Sequence, residues 1–184
     1  MVQRIKLNSS LQGLRQSLLI NQARSDELPN TGTSTYNGYV GFSKRGSGDD
    51  TSYIDSPEIV GNMAMTAYFG TNDVTGSMWN FIDAEGHQGG GSIQLIGTQG
   101  HKGPGPSGAS GEAASYVDST VNANGSGMLD WGERKQKLDV QLSGGIRAKN
   151  AGLTGYVSIT STVDGVESQM LGKIALQNDG VKTP

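Results

Sequence analysis

His87 and His101 are the only imidazoles in the chain, and both lie in glycine-rich stretches. A general base or a nucleophile pair needs a second group held against it. The spacing of Ser, His and acid residues assembles no hydrolase triad, so both histidines read as solvated loop residues. Asn30-Thr31-Gly32-Thr33 has the outline of an aspartic-protease turn. That chemistry needs two carboxylates sharing a proton; Asn30 supplies none, and there is no second Asp-(Ser/Thr)-Gly copy. Gly103, Gly105 and Gly108 match G-x-G-x-x-G. Pro104 and Pro106 remove the backbone donors that would cradle a phosphate, and no helix follows. Asp49, Asp50 and Asp55 fall in an acidic loop without the Asp-x-Asp-x-Asp-Gly order of a calcium site. A haem would call on His87, His101, Met63 or Met65, and Trp79, Phe81, Tyr116 and Trp131 would line a pocket. Alternating Met and aromatic residues on strands read first as core. No enzyme, metal or cofactor is therefore expected.

Composition narrows the class. The net charge is −3, with 14 basic and 17 acidic residues, which leaves no basic face for phosphate neutralisation and argues against nucleic acid. Cysteine is absent, excluding disulfides, thiolate metal sites, a cysteine nucleophile and an acylated lipobox cysteine. No run approaches the ~20 apolar residues of a membrane helix. Leu18-Leu19-Ile20 is too short for a secretory signal core, so no signal peptide and no membrane insertion are expected. The first residues carry Arg4, Lys6, Arg15 and Arg24 without an acid, as an organelle transit peptide would. An ordinary amphipathic helix explains the same pattern. Gly, at 29 of 184 residues, is about twice its usual share and separates short alternating apolar runs, which favours an all-β domain.

The strongest alternation runs from Gly61 to Asp83. Met63, Met65, Ala67 and Phe69 share one face; Gly70-Thr71-Asn72-Asp73 turns the chain. Thr75, Ser77, Trp79 and Phe81 then oppose Val74, Gly76, Met78, Asn80 and Ile82. Asp83-Ala84-Glu85-Gly86 is a further turn. Other strands are predicted at Tyr36–Ser43, Gly91–Gly97, Glu112–Asp118, Gly127–Trp131, Lys137–Ser143, Leu153–Thr162 and Ser168–Gln177. The last two are joined by Asp164-Gly165, the preferred type I′ hairpin pair. Eight or nine antiparallel strands in meander order close into a small barrel, with a β-sandwich as the alternative. Gly38, Gly76, Gly155 and Gly172 inside strands suit tight coiling. Residues 1–30 differ: Leu7, Leu11, Leu14 and Leu18 form one helical stripe, and Ser9 with Gln12 fits a capping box. That helix either plugs or packs on the barrel, or anchors it to a larger assembly.

Phe69-Gly70, Asp73-Val74-Thr75-Gly76-Ser77 and Asn80-Phe81 resemble the barrel domain of bacterial transferrin-binding-protein-like surface proteins. Gly155-Tyr156-Val157 and Gly172-Lys173-Ile174-Ala175 resemble its closing strands more loosely, and Leu153-Thr154-Gly155-Tyr156 departs from the Phe-(Tyr)-Gly-Pro found there. The resemblance covers residues 33–177. It implies an eight-stranded barrel that carries a host-protein or haem ligand on surface loops or an added handle. Those lipoproteins have a signal and a lipidated cysteine, and this chain shows neither. Small barrels of this look without signals also resemble accessory proteins of bacteriophage and phage-like gene clusters.

The resulting expectation is an N-terminal arm (1–30) and an all-β barrel (31–184). The function expected is a non-enzymatic structural protein of a phage or phage-like particle, a capsid decoration or spike, made in the cytoplasm and shown on the particle surface. Leu7, Leu11, Leu14, Arg15 and Leu18 would dock on other particle proteins. His101, Lys102, Pro104 and Pro106, in the stiffened loop, would meet a host glycan or protein. The alternative is a secreted or cell-surface barrel capturing haem or a host protein.

Overall fold

The computed structural model describes residues 6, 9–14, 28–45, 57–100, 120–147 and 150–182. Eight strands are seen among them: β1 (Thr33–Lys44), β2 (Ile59–Tyr68), β3 (Asp73–Ile82), β4 (Gln88–Gly100), β5 (Thr120–Asp130), β6 (Lys135–Ile146), β7 (Gly152–Val163) and β8 (Val166–Lys182). Each pairs antiparallel with the next, and β8 returns to β1, so the sheet is a closed barrel without a free edge. A sandwich is thereby ruled out.

Period-two alternation sends one set of side chains inward. Val40 and Phe42 of β1, Met63 and Met65 of β2, Ile93 and Leu95 of β4, and Leu138 and Val140 of β6 fill the lumen. Val157, Ile159, Ile174 and Leu176 complete it from β7 and β8. Phe42 meets Phe81 edge-on, with ring centroids 6.2 Å apart. The barrel is a packed core rather than a container. Met63 and Met65 are 0% and 1% exposed within it, which removes them as haem ligands.

The outward set is largely polar: Asn37, Thr75, Gln94, Asn122, Asn124, Gln141 and Ser158 are exposed along the wall, with Ile96, Met128 and Tyr156 as scattered apolar exceptions. A lipid-facing barrel has the reverse polarity, with an apolar band outside. No helix among the described residues is long and apolar enough to cross a membrane.

Inward glycines let neighbouring backbones close up. A Cβ on Gly125 would lie 1.9 Å from the Gln94 carbonyl oxygen, and one on Gly172 would lie 2.3 Å from that of Gly41. Side chains at these points would push the strands apart and open the small barrel.

Two sequence expectations are corrected here. Phe81 was grouped with outward Trp79, but the β3–β4 register shifts between them and Asn80 takes φ 54°. This bulge turns Phe81 into the core at 0% exposure, leaving Trp79 on the wall. The strand expected at 127–131 begins earlier, spanning Thr120–Asp130, and the strand expected at 112–118 lies outside the described residues. The hairpin at Asp164-Gly165 forms as predicted, both residues having positive φ (51° and 79°).

The N-terminal segment is helical over residues 9–14 and packs on the outer wall. Leu11 is 1% exposed, yet it does not belong to the lumen cluster. Its Cδ2 lies 2.7 Å from where a Cβ on outward-facing Gly41 would stand, and Pro57 crowds the same point. Gly41 is paired with Val60, and Val60 with Ile82. Val60 and Ile82 are buried outside the lumen cluster, so a small second apolar patch sits beneath the helix.

Candidate functional site: the charged mouth of the barrel

The end of the barrel that carries the β1–β2, β3–β4, β5–β6 and β7–β8 connections forms an open mouth of about 470 Å³. Ile59, Gln136, Ser161 and Met170 line it from strand ends, and Val163 and Val166 form a lip. Val166 is 71% exposed. Lys44, Glu58, Asp83, Glu85 and Arg134 line the same cavity, a charged rim of both signs over a partly apolar floor.

Asp83, Glu58 and Arg134 are each held by neighbouring groups. In the β3–β4 turn the Gly86 N–H donates to the Asp83 carbonyl (3.2 Å), and Asp83 N–H donates to the His87 carbonyl (3.1 Å). Gly86 has φ 93°, a conformation that glycine adopts freely. The Asp83 carboxylate accepts from the His87 N–H at 2.8 Å and meets His87 Nδ1 at 3.0 Å. Burial pushes the Asp83 carboxyl up, but the hydrogen bonds from His87, the His87 charge and the Gly86 N–H outweigh it, so its pKa is lowered. Asp83, Glu85 and His87 place their ligand atoms within 4.8 Å of one another.

Across the mouth, Trp131 lies flat on Gly89, where a Cβ would stand 2.9 Å from its ring. The Arg134 guanidinium sits 5.9 Å from the Trp131 ring centroid. Trp131 Nε1–H donates to Gln136 Oε1 (2.9 Å), and Gln136 Nε2–H donates to Ser161 Oγ (2.8 Å). This relay satisfies polar groups where the core meets the cavity. On the β1–β2 side, Glu58 N–H donates to Ser43 Oγ (2.8 Å), and Glu58 Oε2 accepts from the Lys44 N–H (3.3 Å).

The opposite end is closed by buried polar groups. The Tyr36 hydroxyl donates to Asn150 Oδ1, and Asn150 Nδ2–H donates to Ser34 Oγ at 2.7 Å. Burial drives the Tyr36 pKa well upward, with the Ser34 hydrogen bond opposing it.

Of the assembly-arm residues singled out in the sequence, the two that are described lie on the barrel wall and not at the mouth. Leu11 is spent on the barrel's own wall, and Leu14 borders a wall groove with Tyr39, Asn62 and Trp79. Leu7, Arg15, Leu18, His101, Lys102, Pro104 and Pro106 lie outside the described residues, as does Tyr116. His87 is at the rim with its side chain 69% exposed. Sequence reading passed over Glu58, Glu85, Arg134 and Gln136. The alternation Asp83-x-Glu85-x-His87 was the one visible signal, and it was taken as turn chemistry.

No protein-family model and no curated protein matches the chain. Two solved structures are similar to it, both of transferrin binding protein B. One, a double-mutant vaccine antigen from Haemophilus parasuis, is 15% identical with a TM-score of 0.42, covering 86% of this chain and 28% of its own. The other, intact Ap-TbpB with N and C lobes, is 15% identical with a TM-score of 0.35, covering 88% and 29%. This chain thus spans under a third of the length of either.

Proposed function

We propose that this chain is a non-enzymatic binding barrel that holds a protein partner at the charged mouth. The observation that carries this reading is the filled lumen. With apolar side chains from the strands packed through the interior, the described residues leave no internal chamber for haem or another small ligand. Recognition falls to the outside, and the mouth is the concave surface there that joins an apolar floor to charges of both signs. An exposed lip such as Val163–Val166 gains by being covered, and the rim charges set orientation. His87 engages Asp83 rather than a nucleophile, which suits binding over acyl transfer.

The partner is either a host protein met at a surface or a neighbouring protein of a virion; both use the same mouth. A photo-crosslinker at Val166, with a control at exposed Tyr156 on the wall, tests the reading in the native source. A discrete adduct from Val166 alone, identified by mass spectrometry, supports it and names the class of partner. Equal labelling from both positions, or labelling only from Tyr156, overturns it.

A further inference from the structure

We propose that Asp83, Glu85 and His87 form a binding site for a divalent transition-metal ion of the zinc class on the β3–β4 turn. Three features of the turn lead there. The residues alternate at positions i, i+2 and i+4 around Gly86, and their ligand atoms already lie within 4.8 Å of one another. Donor atoms on a tetrahedral zinc stand about 3.4 Å apart, given metal–ligand bonds of about 2.0–2.1 Å. Asp83 Oδ2 and His87 Nδ1, at 3.0 Å, need only move apart by a few tenths of an ångström to reach that separation. Only Glu85 has to close in, and its exposed side chain rotates without disturbing packing.

The second feature is the donor set. Two carboxylates and an imidazole differ from an ordinary acidic turn. Calcium and magnesium seek oxygen cages of six or more ligands, whereas a nitrogen donor shifts preference to zinc, cobalt and nickel. The third is pre-organisation. Asp83 is nine-tenths buried at the cavity wall, and its carboxylate is oriented by the His87 backbone N–H. On metal binding the Nδ1 lone pair turns to the ion, any proton on that nitrogen goes to solvent, and the Nδ1–Oδ2 hydrogen bond is replaced by two metal–ligand bonds. Three protein ligands leave at least one coordination position open. That position faces the mouth, since Asp83 and Glu85 both line it.

The site does not depend on the partner reading, and its test uses the isolated protein. Tag-free full-length chain, stripped with a chelator, is titrated with Co²⁺ while visible absorption is followed, and Zn²⁺ is then added as competitor. Saturable one-to-one binding with ligand-field bands that zinc abolishes is expected. His87→Ala and Glu85→Gln, both at exposed positions and checked for fold by circular dichroism, should each weaken binding by more than the ~100-fold upper end for losing a mere outer-shell contact. His101→Ala should leave it unchanged. Binding that survives His87→Ala, that disappears with His101→Ala, or that is absent from the wild type at millimolar Co²⁺ overturns the proposal.

Discussion

Replacing Asn150 with Ala probes the closed end of the barrel. Asn150 is 5% exposed and ties down two polar side chains of β1: its Oδ1 accepts from the Tyr36 hydroxyl and its Nδ2 donates to Ser34. Tyr36 is 0% exposed, so truncating Asn150 takes away the acceptor of its hydroxyl with no water to replace it, and Ser34 alone remains beside it. An orphaned buried donor costs about 1–3 kcal/mol. Asn150 also holds φ 57°, a left-handed conformation that costs Ala about 1–2 kcal/mol more. The sum is a loss of about 2–5 kcal/mol. At a urea m-value of about 2 kcal/mol per molar, the midpoint falls by roughly 1–2.5 M. Two companions separate the terms. Asn150→Gly keeps the hydrogen-bond loss but relieves the backbone, so it should sit about 1–2 kcal/mol above Asn150→Ala. Tyr36→Phe combined with Asn150→Ala removes donor and acceptor together, so the pair should lose less than the two single changes added. Additivity within ~0.5 kcal/mol would refute the idea that Tyr36 and Asn150 act as one buried unit.

Three further outcomes follow from the same coordinates. Leu11→Ala should cost about 2 kcal/mol, the low end for a buried Leu, and strip hydrogen-exchange protection from residues 9–14 while the strands keep theirs. Gly172→Ala forces a Cβ to 2.3 Å from the Gly41 oxygen and 2.5 Å from Phe42 Cβ, and overpacking of that kind should lower stability by about 1–3 kcal/mol in thermal melts. Asp83→Asn removes a carboxylate whose folded pKa is depressed. Its contribution is present above the unfolded value near ~3.9 and fades as pH falls through the lower folded value. In chelator-treated buffer, the gap in melting temperature between wild type and variant should therefore be widest at neutral pH and shrink in acid; a gap that grows in acid contradicts the assignment.

The sequence by itself determined the fold class, because alternation at Met63-Met65-Ala67 and at Leu153–Ile159 can bury only one sheet face. It determined the β7–β8 hairpin too, since Asp164-Gly165 accepts two successive positive φ values that few dipeptides tolerate. Where local pattern was weak, it misled. β5 has Gly125 and Gly127 at lumen positions between Ala123 and Leu129, so its hydrophobic period is interrupted, and only pairing with β4 and β6 defines the whole strand. The inward turn of Phe81 depends on a bulge at Asn80 that two neighbouring strands impose. The leucine stripe showed that a helix would hide an apolar face, but not which surface it would meet; the gap above Gly41 decides that for Leu11. The mouth was least legible of all. Lys44, Glu58, Asp83, Arg134 and Val166 are far apart in the chain and carry no shared motif. They become neighbours only because an antiparallel meander that closes on itself delivers every second connection to the same end.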